Sequence, residues 1–349
     1  MKTWDVIVVG GGIIGLSLSI ALRKRGATVL VIDRAEPGRE SSQAAGGMLV
    51  DSPLETKPVL QSLATASASM YPEFAHELET ESGIKVDLRD HGTIVFPSPE
   101  HRNQPATLSS AALANLEPSL APSGQPAFFL KERSVDPRAL TAAALKTAKI
   151  RGVDFSSADP VTAINLSDDH ATGVTTTKTS FLAEKIVNCA GAWSGQLGPH
   201  AMPTRPIKGQ MLCLIMQPRD LLKHVVRAPD VYLIPRSDGR LLVGATVEEA
   251  GFDKRTDLAT MQRFHRAAIA LVPKFADAKI LEDWAGLRPG TPDALPILGA
   301  TATPGYYVAT GHFRDGILLA PITAEVMSKV IEGNNSDFDL SPFAPSRFA

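Results

Sequence analysis

Three glycines at positions 10, 12 and 15 constrain this chain more than any other feature. They form G-x-G-x-x-G directly after Thr3–Val9, a short run rich in valine and isoleucine that predicts a buried parallel strand. Ile13–Arg25 follows with helical spacing, Leu16, Ile20 and Ala21 on one side and Arg23, Lys24 and Arg25 near the end, where cations complement the helix dipole. Gly26 is a natural stop, and Thr28–Ile32 predicts a second strand closed by Asp33. In this βαβ opening each glycine has a physical task. Gly10 permits the turn, Gly12 lets a pyrophosphate approach the backbone, and Gly15 packs helix against strand. The helix start at Ile13 and Ile14 offers N–H groups and a partial positive charge to phosphates. Asp33, with Arg34 behind it, is placed to hydrogen-bond a ribose hydroxyl. The pattern predicts dinucleotide binding, and alone it does not separate NAD from FAD.

The bulk numbers narrow the partners. A net charge of −2 carries no basic excess for nucleic acid or an anionic membrane. Cys189 and Cys213 stand in no metal spacing and are expected to be plain buried thiols in a reducing compartment. The apolar N-terminus reads as strand, turn and helix, because Asp5 and four glycines interrupt it where a signal peptide or membrane span would be continuous. The expected location is the cytoplasm.

Further elements follow from local chemistry. Residues 59–82 predict a long helix containing Pro72, and 91–96 a strand. Residues 97–126, rich in Pro, Ser and Ala, predict surface loops and a short helix. A helix over 135–151 has Asp136 as N-cap and Pro137 at its first position. Residues 183–190 predict a third buried strand. Residues 209–216, 231–235 and 241–245 predict short strands, the last two joined by an Asp238-Gly239 hairpin turn. Helices are predicted over 257–271 and 317–331. The order suggests a discontinuous nucleotide domain with a second domain, built on an antiparallel sheet, threaded through it.

Several segments together resemble the D-amino-acid oxidase superfamily, closest to its glycine oxidase branch linked to thiamine biosynthesis. They are VIVVGGGIIGLSLSIAL (6–22), SSQAAGGML (41–49), VNCAGAWSG (187–195), IKGQML (207–212), YLIPRSDGRLLVGAT (232–246), WAGLRPGTPDALPILG (284–299) and GHFRDGILLAP (311–321). The resemblance implies an α/β fold. A Rossmann-type FAD-binding domain of residues 1–82, 134–205 and 284–349 would pair with an α+β substrate domain of 83–133 and 206–283. It implies non-covalent FAD, since no cysteine follows Cys213 to serve the covalent route of sarcosine oxidase relatives. It also implies an amino-acid or amine substrate, molecular oxygen as acceptor, and by analogy a homotetramer.

The same resemblance assigns site residues. Ser41, Ser42, Gly46, Gly47 and Met48 lie in a small-residue loop that would touch pyrophosphate and flavin; on composition alone it reads as a surface loop. Val161 and Gly191 would contact the cofactor. Arg288 would bind the substrate carboxylate, because a guanidinium fork matches a carboxylate bidentately; a surface salt bridge is the alternative. Tyr232 would assist it, or simply fill core. Arg314 would lie on the substrate side of the ring, or pair with Asp315. His312, Phe313, Arg314, Asp315, Gly316, Ile317 and Leu318 would follow the flavin, the last helix aiming its N-terminus at the pyrimidine end. Trp193 is expected only to pack. Asp230 and Val247 depart from the histidine and methionine of a relative and bear on substrate choice. Expected chemistry is oxidative deamination. The alternatives are a dehydrogenase with another acceptor, a 2-hydroxy-acid oxidase, or a flavin-binding redox sensor without turnover.

Overall fold

The computed structural model describes residues 2–97, 108–122, 125–200 and 202–348. Two sheets organise them. The first has eight strands, of which six run in the order β16-β17-β10-β1-β2-β7. These are β1 (Thr3–Val9), β2 (Val29–Ile32), β7 (Asp154–Ser156), β10 (Ser180–Asn188), β16 (Ile297–Ala300) and β17 (Tyr306–Thr310). β1 pairs in parallel with both β2 and β10, and β10 in parallel with β17. Every residue of β2 is buried, which is why it reads as an unbroken apolar run and not an alternation. A hairpin of β8 (Val161–Ser167) and β9 (His170–Thr176) joins through β9, which pairs antiparallel with the first residues of β10.

Helices cover this sheet: α1 (Ile13–Lys24), α3 (Gln61–Ser82), α5 (Pro137–Ile150) and α7 (Ala320–Ile331), with the short α2 (Ser41–Ala44) against α5. Leu16 and Leu18 of α1, Leu63 and Tyr71 of α3, Leu140 and Ala144 of α5, and Val326 and Met327 of α7 share one core with the sheet. α3 runs unbroken through Pro72 and stops at Gly83, which adopts φ 69°. Asp136 caps α5 as expected, its carboxylate accepting from the Arg138 and Ala139 amides.

The second sheet has seven strands in the order β15-β11-β14-β13-β12-β4-β5. They are β4 (Thr93–Val95), β5 (Phe128–Leu130), β11 (Arg205–Ile215), β12 (Val225–Ala228), β13 (Val231–Pro235), β14 (Arg240–Gly244) and β15 (Lys279–Gly290). A two-stranded piece pairs β3 (Met48–Leu49) with β6 (Arg133–Ser134). Period-two alternation splits β11 between two environments. Leu212 and Leu214 pack with Phe264 and Ala268 of α6 (Leu258–Leu271), while Met211 and Cys213 face the other way with Ile234 and Tyr232. The expected 97–126 segment holds a short helix, α4 (Ser110–Leu116), capped by Ser109. Residues 98–107 and 123–124 of that expectation lie outside the described residues.

Arg288 is on β15, which runs to Gly290. That strand crosses the boundary expected at residue 284. The last helix begins at Ala320, not Ile317. Pro321 supplies the reason: it has no N–H to donate and fits only a helix's first turn. Residues 316–319 instead form turns, with the Leu319 amide donating to the Asp315 carbonyl at 2.8 Å. The 41–44 stretch is a helical turn and not plain loop. Both cysteines are free and buried, and no helix among the described residues is long and apolar enough to cross a membrane.

Candidate active site

A cavity of about 1470 Å³ is lined by residues of both sheets. That exceeds the roughly 300–1,000 Å³ of pockets for drug-sized ligands and suits a dinucleotide with a substrate. Its wall takes in Gly10, Gly12, Asp33 and Arg34 at one end and Tyr232, Arg288 and Arg314 at the other.

The dinucleotide end is shaped by glycine. Gly10 holds φ 108°, and a Cβ there would stand 2.4 Å from the Cys189 carbonyl oxygen. A Cβ on Gly15 would stand 2.0 Å from the Gly10 oxygen, so α1 meets β1 only because that atom is missing. At Gly12 only the Ser42 hydroxyl lies near, at 3.2 Å, leaving the backbone open toward the cavity. Asp33 accepts from the Gly11 amide at 2.7 Å and the Ala35 amide at 2.9 Å, and so holds the glycine turn. Burial raises its carboxyl above the usual range. Ser42 accepts from the Ile13 amide at 2.9 Å at the mouth of α1. Val161 and Gly191, the latter at φ 56° with open space about it, also line the wall. Close backbone, a helix start and an acid at the strand end fit an extended diphosphate with a ribose.

The loop holding Gly46, Gly47 and Met48 is pinned from the second sheet. Ser41 donates to the Leu287 carbonyl, Trp284 Nε1 donates to the Ala44 carbonyl at 3.0 Å, and Arg236 donates to the Gly46 carbonyl. Arg236 is 1% exposed, and burial pulls its guanidinium down to about 10. Nothing in the chemistry of IPR announced it in the sequence.

The far end follows from strand register. Met211 pairs with Trp284, Gly209 with Gly286 and Ile207 with Arg288, so Trp284, Gly286 and Arg288 share one face of β15. A Cβ at Gly209 would stand 2.4 Å from Arg288 Nη1, and one at Gly286 2.4 Å from Ala44 Cβ. Both glycines make room, one for a guanidinium and one for the pinned loop. An isolated glycine in a strand is the sequence signal for such a close approach. Arg288 Nη1 donates to the Thr246 carbonyl at 3.0 Å and the Lys208 carbonyl at 3.3 Å. Tyr232 stands beside its guanidinium and donates its hydroxyl to Met211 Sδ at 3.3 Å. Burial lowers the arginine and raises the tyrosine from their ordinary values. No carboxylate among the described residues forms a salt bridge with Arg288.

Arg314 is exposed, its guanidinium 5.4 Å from the Phe313 ring, and it forms no salt bridge with Asp315. Phe313 adopts φ 47° and donates its amide to Pro289, next to Arg288. His312 is buried and meets Thr323 Oγ1 at 3.1 Å; burial holds it down to about 3, so it stays neutral. Gly316 and Ile317 line the cavity, whereas Leu318 does not: it is buried, its carbonyl accepting from Ser67 at 2.6 Å. Gly15 likewise acts behind the wall. Asp230 and Val247 are exposed at the cavity rim. Trp193 does more than pack in the interior, for its ring forms part of the wall.

Comparison with known proteins agrees with this architecture. The chain is 34% identical to the bifunctional protein ThiO/ThiG of Trichormus variabilis over 99% of its own length, and spans about half (55%) of that relative. It is 31% identical to glycine oxidase of Pseudomonas putida, covering 98% of both chains. The crystal structure of glycine oxidase from Geobacillus kaustophilus superposes with a TM-score of 0.94 at 31% identity, covering 99% of each chain. Residues 5–330 match the DAO family, described as FAD dependent oxidoreductase. The chain belongs to this family and is an FAD-dependent oxidoreductase of the glycine oxidase type.

Proposed function

We propose that the chain oxidises glycine, a small D-amino acid or an N-methyl amine to the 2-oxo acid, releasing ammonia or an amine and forming hydrogen peroxide. For glycine the balance is glycine, oxygen and water giving glyoxylate, ammonia and hydrogen peroxide. Bound FAD supplies the two-electron acceptor that oxygen afterwards regenerates. One observation carries the reading: Arg288 presents a guanidinium to the cavity with backbone carbonyls and a tyrosine around it, and no carboxylate among the described residues forms a salt bridge with it. A carboxylate is the natural complement of that fork.

On this reading Arg288, held by the Lys208 and Thr246 carbonyls, binds and orients the substrate carboxylate, and Tyr232 beside it shares the load. Arg314 stands exposed at the same end and draws anions inward. Neutral His312 anchors the 312–316 turn through Thr323. Position and exclusion of water supply much of the rate, since no side-chain base is required for the hydrogen transfer. Gly10, Gly12, Ile13 and Ile14 cradle the diphosphate, Asp33 and Arg34 the ribose, and Val161 and Gly191 the adenosine side. Ser41, Ser42, Gly46, Gly47, Met48 and the 312–317 turn line the flavin. Attachment is non-covalent, and residues 1–82, 134–205 and 284–349 form the cofactor domain, save that β15 reaches into the other sheet.

The test is turnover of glycine, sarcosine, D-alanine and D-proline with peroxide and ammonia both measured. Stoichiometric peroxide with 2-oxo acid supports the oxidase. Turnover without peroxide would assign the electrons to a different acceptor.

A further inference from the structure

We propose that Phe252, stacked on Trp193, closes the dinucleotide end of the cavity over FAD and sets how fast the cofactor leaves. The two rings come from opposite halves of the molecule. Trp193 sits in the helical turn Gly191–Gln196 that follows β10 of the first sheet. Phe252 sits in the connection between β14 and α6 of the second. Their centroids are 5.1 Å apart with planes inclined by 29°, an offset stack. The Arg34 guanidinium stands 4.4 Å from the same Trp193 ring, and Arg34 directly follows the acid of the ribose site. All three residues line the cavity.

The connection is built to hold that position. Lys208 and Glu248 exchange backbone hydrogen bonds of 2.8 and 3.0 Å at one end. Gln210 Nε2 donates to Glu248 at 2.9 Å and to Asp257 at 2.8 Å, tying both ends to β11. Gly251, at φ 59°, lets the tip turn. Beyond the ring, Lys254 reaches Glu40 on the first half at 3.1 Å, a second bridge across the same opening.

Phe252 is nonetheless 42% exposed, so its ring adds little to any core. An aromatic ring left that open, yet stacked across the mouth of a cofactor cavity, gains most from what lies beneath it. A dinucleotide leaving this end must part the stack.

The test uses purified holoenzyme diluted into a flavin trap, with release followed by FAD fluorescence, and apoprotein melting measured in parallel. Phe252→Ala should release FAD about tenfold faster while its apoprotein melts like wild type. Phe252→Tyr, which restores the ring, should release FAD close to the wild-type rate. Wild-type release from Phe252→Ala overturns the proposal. So does an apoprotein melting point lowered as much as the holoprotein's, which would make the ring a support of the fold alone.

Discussion

Gly209 and Arg288 compete for one space: a Cβ on the glycine would lie 2.4 Å from both guanidinium nitrogens Nη1 and Nη2. Glycine at 209 is therefore a condition of where the arginine stands. Gly209→Ala should push the guanidinium off its carbonyl partners and raise KM by roughly 10- to 100-fold, the loss of about 1.5–3 kcal/mol expected for a charge-assisted hydrogen bond. FAD content should not change. Steady-state kinetics with the flavin absorbance per chain checks both, and an unchanged KM would detach Gly209 from the site.

The glycine fingerprint yields a sharper contrast. A Cβ on Gly15 would meet the Gly10 carbonyl oxygen at 2.0 Å, whereas one on Gly26 meets nothing within 4 Å. Gly15→Ala should emerge colourless or fail to fold. Gly26→Ala should stay yellow and lose only about 1 kcal/mol, the cost of a left-handed conformation for a residue with a side chain. Flavin absorbance and thermal melting of both variants decide it; equal flavin content in the two would remove Gly15 from its packing role.

Asp315 gives a pH dependence. Burial pushes its carboxyl up to about 6, against the lowering influence of Arg314 and Lys57. A carboxyl raised on folding binds its proton more tightly in the native state. Stability is therefore lost as pH rises from the unfolded value near 3.8 through about 6. Asp315→Asn should melt higher than wild type at pH 7, by an equivalent of at most about 3 kcal/mol. The gain should vanish near pH 4. Melting curves across that range test the sign, and a variant less stable at pH 7 would refute it.

Much of this was legible in the residues, for reasons that differ by element. The βαβ opening was readable because its chemistry is local: strand, glycines, helix and acid lie within 33 residues. The Asp136–Pro137 helix start and the Asp238-Gly239 hairpin were readable for the same cause. The start of the last helix was misplaced because apolar periodicity outweighed Pro321. β15, 12 residues long, was not delimited because its start breaks the alternation of a half-buried strand: Ile280 and Leu281 are adjacent and both exposed. The support of Arg288 by Gly209, the grip of Arg236 on Gly46, and the Trp193–Phe252 stack join residues far apart in the chain. Only strand register and loop closure bring them together, and no local pattern encodes either.

The most direct measurement is anaerobic mixing of the flavin-loaded protein with glycine, sarcosine, D-alanine, D-proline and a 2-hydroxy acid, for wild type and Arg288→Ala. Loss of a buried carboxylate anchor is worth about 2–5 kcal/mol, or roughly 30- to several-thousand-fold in apparent affinity. The account predicts that at least one amine bleaches the wild-type flavin, that the hydroxy acid does not, and that the variant needs concentrations higher by that factor. Bleaching of the variant at wild-type concentrations, or of wild type by the hydroxy acid alone, would contradict it.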